Sequence, residues 1–117
     1  MDITGNQGRL NDLWRYNPET GYWAFMRGSY YRNQNGIYNQ LGVADAASCP
    51  GGRNRPITAV DQSGNLWLYG GYGMPASGSE TGLADLWHYN VSTNVWTWMG
   101  GVNYGGIGPN PNWNYKG

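Results

Sequence analysis

Apolar and polar positions follow the same order in two stretches of the chain, residues 11–27 and 84–100. Each opens with Asp-Leu-Trp-x-Tyr-Asn, passes through a polar segment and closes on a short apolar run containing Trp. The opening and closing runs have the length and aromatic content of β-strands. The segments between them, Asn-Pro-Glu-Thr-Gly and Asn-Val-Ser-Thr-Asn, have turn composition. Asn starts turns through its side chain, Pro presets φ, and Gly or Asn tolerates positive φ. Both stretches therefore predict hairpins. A third hairpin is predicted between them, where Pro56 to Val60 leads through Asp61-Gln62-Ser63-Gly64-Asn65 into Leu66 to Tyr69 and Gly70-Gly71. Leu66 to Tyr69 is apolar at successive rather than alternate positions, as expected of a sheet covered on both faces.

The first and third stretches align over seventeen residues without a gap, at an offset of 73. Eight pairs are identical: Asp12/Asp85, Leu13/Leu86, Trp14/Trp87, Tyr16/Tyr89, Asn17/Asn90, Thr20/Thr93, Trp23/Trp96 and Met26/Met99. Three aromatic anchors in register make this an internal repeat. Hairpins are expected at roughly 12–27, 56–70 and 85–100, the last two joined in one four-stranded antiparallel sheet.

Composition fixes the class. Gly (20), Tyr (10) and Trp (7) are in excess, and Phe occurs once. Burial must come mainly from Trp and Tyr, each covering ~150–250 Å², an upper bound of roughly 4–6 kcal/mol at ~25 cal/mol/Å². This offsets a Gly-rich backbone with a high entropy of unfolding. The predicted class is all-β with heavy loops. Seven basic and seven acidic side chains balance, so no basic stripe for nucleic acid is expected. No apolar run approaches the ~18 residues that suggest a membrane span, and the polar first residues do not read as a signal peptide. A single cysteine, Cys49, excludes an intrachain disulfide and a Cys-based metal cluster.

Pro50-Gly51-Gly52-Arg53, Leu66-Trp67-Leu68-Tyr69-Gly70-Gly71, Asp85-Leu86-Trp87-x-Tyr89-Asn90 and Trp96-x-Trp98-Met99, in that order, resemble the kelch repeat of β-propellers. The spacing is closer to the long repeats of some bacterial secreted or surface kelch-like proteins than to the ~50-residue form. The resemblance implies an all-β, kelch-type propeller fragment of about one and a half blades. Residues 1–29 would be an outer half-blade, 30–55 a long inter-blade loop, 56–101 a complete four-stranded blade, and 102–117 a linker toward a next blade. It implies structural roles for Gly70 and Gly71, which let backbones approach closely, and for Tyr16, Tyr89, Trp23 and Trp96, with Tyr89 and Trp96 wedged between blades. One chain would not close a ring of ~4–8 blades, so copies of itself or further blades are the expected partners. An extracellular or cell-surface location is favoured by the same resemblance.

Candidate chemistry is thin. The family includes a copper radical oxidase resembling galactose oxidase, whose site needs two His ligands; this chain has one His. His88 occupies the repeat slot of Arg15 and is expected to face solvent. Asp12 and Asp85 share a repeat position and read as turn or strand-end hydrogen-bonding groups. Asn90-Val91-Ser92 is a glycosylation triplet within a predicted turn, where the turn role is preferred. No enzyme activity, metal or cofactor is expected. The informative regions are the long connections, Gly28 to Arg55 and Gly71 to Ala84, predicted to emerge on one face. Tyr30, Tyr31, Arg32, Tyr38, Tyr72, Tyr104, Trp113 and Tyr115 are the candidate binding residues there. Aromatic rings among amides suit sugar stacking or protein contact; equally, they can cover blade edges and pack on one another. The functional expectation is a non-enzymatic structural or protein-interaction module that self-assembles or belongs to a larger propeller. The alternative is carbohydrate binding by the aromatic long-loop face.

Overall fold

The computed structural model describes residues 1–105. Among these there is no helix; seven strands run β1 (Leu13–Asn17), β2 (Tyr22–Arg27), β3 (Arg53–Asn54), β4 (Ile57–Val60), β5 (Leu66–Gly73), β6 (Thr81–Asn90) and β7 (Val95–Gly101). All pairing is antiparallel. β1 and β2 form a two-stranded sheet. The rest form an open sheet in the order β3-β5-β6-β7, with β4 alongside the first half of β5. Neither sheet closes on itself. The predicted turns carry out their local chemistry: Asn17 Oδ1 accepts from the Glu19 N–H and Asn90 Oδ1 from the Ser92 N–H, both at 2.9 Å.

Two connections differ from expectation. The segment read as a loop from Gly71 to Ala84 is mostly strand, because β5 continues to Gly73 and β6 begins at Thr81; the linking segment is 74–80. Gly71 permits this continuation. Its φ is +96°, and a Cβ there would stand 2.7 Å from the Asn54 carbonyl oxygen, so the bulge at this point needs a residue without a side chain. The segment 30–55 is likewise not all loop: it contains β3, and Ile37 bridges to Cys49.

The sequence repeat is a structural repeat. The β1–β2 and β6–β7 ladders carry register shifts at equivalent points, between Leu13 and Trp14 and between Leu86 and Trp87. Trp14 Nε1 donates to Asp12 Oδ2 and Trp87 Nε1 to Asp85 Oδ2, each at 2.8 Å. Gly28 and Gly101, 73 residues apart, both have positive φ, and a Cβ on either would collide with the carbonyl oxygen of Asn11 or Ala84, themselves an equivalent pair.

The core gathers on one face of β6–β7. Trp87, Tyr89 and Trp96 are buried there with Tyr38 and Cys49, and Leu13, Leu66, Leu68 and Trp98 pack against them. Asp85 lies within this face, fully enclosed. Arg53 grips it from two sides, Nη1 to Oδ1 at 2.7 Å and Nη2 to Oδ2 at 2.9 Å, and the Tyr38 hydroxyl donates to Oδ2 at 2.7 Å. Asp85 is therefore a buried ion-pair hub rather than a strand-end hydrogen-bonding group. Burial pushes its carboxyl up, but Arg53, Tyr38 and Trp87 outweigh this and hold it below the usual carboxylate range. Burial also raises the Tyr38 phenol well above its ordinary value, with the adjacent Asp85 charge adding to the shift.

Removing Arg53 leaves a carboxylate in the core with its countercharge gone, which costs about 3–5 kcal/mol. Arg53→Met is expected to lower the urea midpoint accordingly at pH 7. Because the Asp85 pKa is depressed in the fold, its contribution is complete above the unfolded carboxyl value of about 4. It is lost as pH falls toward the folded value. Urea midpoints measured from pH 7 down to pH 2 should show this acid loss, and Asp85→Asn should remove that part of the slope.

Candidate functional site

Equivalent residues of the repeat have opposite exposures. Trp87, Tyr89 and Trp96 are 0%, 3% and 5% exposed, whereas Trp14, Tyr16 and Trp23 are 42%, 48% and 65% exposed. In the β1–β2 register Trp14 faces Phe25 and Tyr16 faces Trp23. The pleat puts these four on the same side of the hairpin. They form a row: Trp14 meets Phe25 edge-on at 5.3 Å between ring centroids, and Tyr16 lies 4.9 Å from Trp23. Tyr30 extends the row, stacked on Phe25 at 4.6 Å. Contiguous exposed apolar surface of this kind marks interaction sites. Tyr22, beside it in sequence, is also exposed.

The other side of the hairpin reaches the core at Leu13, while Arg15 and Asn17 on that side stay exposed. Leu13 packs on the buried cluster. Asn94 Nδ2 donates to the Met26 carbonyl at 3.1 Å, and the Tyr89 hydroxyl donates to Asn94 Oδ1 at 2.6 Å, which fixes the amide. Inside this seam lies a groove of about 600 Å³ between Leu10–Leu13 and the inner strands, lined also by Thr58, Val60, Leu66, Leu68 and Trp96. The Trp96 indole N–H is buried without a hydrogen-bond acceptor among the described residues.

The candidate residues of the long connections divide among different environments. Tyr30 belongs to the aromatic row. Tyr31, Tyr72 and Tyr104 are exposed. Arg32 donates through its backbone N–H to Asp2 and through Nη1 to the Gln7 carbonyl, each at 3.0 Å. Asp2 carries four such bonds, led by the Thr4 hydroxyl, and they hold its carboxyl far below the usual range. Tyr72 lies under the Arg9 guanidinium, 5.6 Å from ring centre, and Arg9 pairs with Glu80 at 3.0 Å. Tyr38 is not on a binding face. It is 4% exposed, packed on Trp87 and Trp98, because its hydroxyl completes the Asp85 hub. Trp113 and Tyr115 lie outside the described residues.

Of the repeat residues, Gly70 and Gly71 adopt positive φ at the β5 bulge, Tyr89 and Trp96 are buried, and Tyr16 and Trp23 are exposed. The sequence reading did not single out Trp14 as a surface residue; the signal was its place in a first copy that has no inner strands before it, unlike the second.

Reactive groups are muted. Burial pushes the Cys49 thiol up, Arg27 and Arg53 opposing only in part, so it is held as the thiol. His88, expected in solvent, is half-buried against Trp67 at 4.7 Å and sits 3.8 Å from Asp61. The Trp67 indole N–H donates to Asp61, the largest contribution holding that carboxyl below its usual range. Among the described residues no three His, Cys, Asp or Glu side chains gather as a metal site.

The placement of Tyr38 has a direct consequence. Tyr38→Ala is expected to cost about 3–5 kcal/mol in urea unfolding, while Tyr31→Ala should stay within about 0.5 kcal/mol of wild type. In comparison with known proteins, the chain matches no family model, no curated protein and no solved structure.

Proposed function

We propose that this chain is a non-enzymatic structural and protein-interaction module, a kelch-type β-propeller fragment of about one and a half blades, which self-associates or joins further blades. The observation that carries the reading is the aromatic row: Trp14, Tyr16 and Trp23 are surface residues in the first hairpin, whereas Trp87, Tyr89 and Trp96, their counterparts in the second, are core, and the half-buried Phe25 completes the row. A contiguous patch of large apolar side chains left open to water is a feature of interaction sites. The propeller assignment draws on the four consecutive antiparallel strands β4-β5-β6-β7. It draws also on the glycine pair at Gly70-Gly71 and on a hairpin stacked against that sheet, as one blade stacks on the next.

Carbohydrate binding remains the second reading, favoured by the exposed rings of Tyr30 and Tyr31 beside amide-rich backbone. It no longer includes Tyr38, which is committed to the core. Tyr30 is already stacked on Phe25.

Light scattering separates the readings. Self-association predicts a mass above the 13.0 kDa of one chain, falling back to one chain in Trp23→Ser, with no binding on a glycan array. Glycan binding lost in Tyr30→Ala and Tyr31→Ala, by a protein that stays monomeric, would select the carbohydrate reading instead.

A further inference from the structure

We infer that the partner of the exposed aromatic row is a second copy of this chain, docked head to tail, with the row of one protomer seated on the outer face of β6–β7 of the next. This rests on the self-association reading and adds which two surfaces meet.

The protein already contains one such interface. One side of it is the aromatic face of β6–β7, with Trp87, Tyr89, Trp96 and Trp98. Its other side is the face of β1–β2 opposite the aromatic row, which by strand alternation carries Leu13, Arg15 and Ala24, with Met26 at the bulge beside them. Leu13 packs on the buried cluster, and Arg15 and Arg27 act electrostatically on Tyr89. An aromatic face of this design is therefore complemented by a face of that design.

The repeat supplies each face a second time. The free aromatic face is Trp14, Tyr16, Trp23 and Phe25. The second complementary face, by the offset of 73 and the shared register, is Leu86, His88 and Thr97, with Met99 at the equivalent bulge. Leu and Met are retained, a small residue stays small, and a basic side chain stays basic. Met99 is exposed and Leu86 and His88 are half-buried, while Thr97 is buried between them. The two free faces lie on different parts of the molecule, so the contact they make is heterologous and propagates from copy to copy. Packing two aromatic rows against each other would be isologous and would leave Leu86, His88 and Met99 uninvolved.

One element of the internal interface is not repeated. Asn94, at a φ of +58°, ties Tyr89 to the Met26 carbonyl. Its counterpart is Gly21, at a φ of +75° with open space where a Cβ would stand. Asn accepts this left-handed conformation. Gly21→Asn should therefore restore the link, with the Tyr16 hydroxyl holding the amide and its Nδ2 reaching the Met99 carbonyl of the neighbouring copy.

Sedimentation and light scattering on purified protein test this. Trp23→Asp destroys one face and Met99→Asp the other; each alone should be monomeric. Mixed in equal amounts they should form a 1:1 dimer and stop there, because each retains one intact face. Gly21→Asn should lower the concentration needed for assembly by roughly 5-fold, the gain of one hydrogen bond, and only where Met99 is intact. If a urea titration shows Met99→Asp unfolded, His88→Glu takes its place on the same face. Assembly of Met99→Asp as wild type, with Trp23→Asp monomeric, would leave self-association standing and overturn the head-to-tail contact. Failure of the two folded variants to recombine would overturn it as well. A wild-type protein monomeric at every concentration would remove both readings.

Discussion

The buried carboxylate of Asp85 is the constraint around which the larger sheet is arranged. It accepts from Arg53, Tyr38 and Trp87 at once. A charge placed in a core is tolerated only when every lone pair is met, so these three donors have to arrive together. Arg53 comes from β3 and also donates to the Gly70 and Gly51 carbonyls. Tyr38 comes from the connection that precedes β3. A single side chain on β6 thus fixes the glycine-rich turn, the bulge in β5 and the folded course of the long connection. It also sets the geometry beneath the aromatic cluster, since Tyr38 and Trp87 are members of both.

The same position in the first hairpin is Asp12, whose carboxylate accepts from the Trp14 indole N–H. The two hairpins share sequence, bulge and turn chemistry, and differ in what surrounds them. Burial is therefore not a property of the hairpin sequence. Trp87 and Trp14 each follow an Asp-Leu pair and make the same indole bond, yet one is enclosed and the other half open to water. The difference is tertiary: β5, Tyr38 and the β1–β2 hairpin stand beside the second copy.

The hairpins, their turns and the all-β class could be read from the chain because each depends on local chemistry: Asn side chains capping turns, Gly at positive φ, and Trp and Tyr at strand spacing. The environment of the long connections could not. Tyr30, Tyr31 and Tyr38 are alike in sequence, three tyrosines among amides. Only the distant pairing of Tyr38 with Asp85, across forty-seven positions, sends one of them inward. The extension of β5 through Gly70-Gly71 was hidden for a related reason. Paired glycines read as a strand end, and here they form a bulge through which the ladder continues. Exposure of the first hairpin was legible in neither composition nor period, since its residues match those of the buried copy.

Two similar hairpins in one chain present a sorting problem during folding. Either could in principle offer its first strand to β5. The connection 74–80 decides the competition: it is seven residues long, whereas β1 and β5 are separated by β2 and the whole of the long connection. Closing the shorter loop loses less chain entropy and happens sooner, so β6 captures the edge of β5 before β1 can reach it. Arg53 and Tyr38 then lock the choice, because the hub they complete is centred on β6. Chain connectivity, rather than side-chain identity, is what tells the two copies apart.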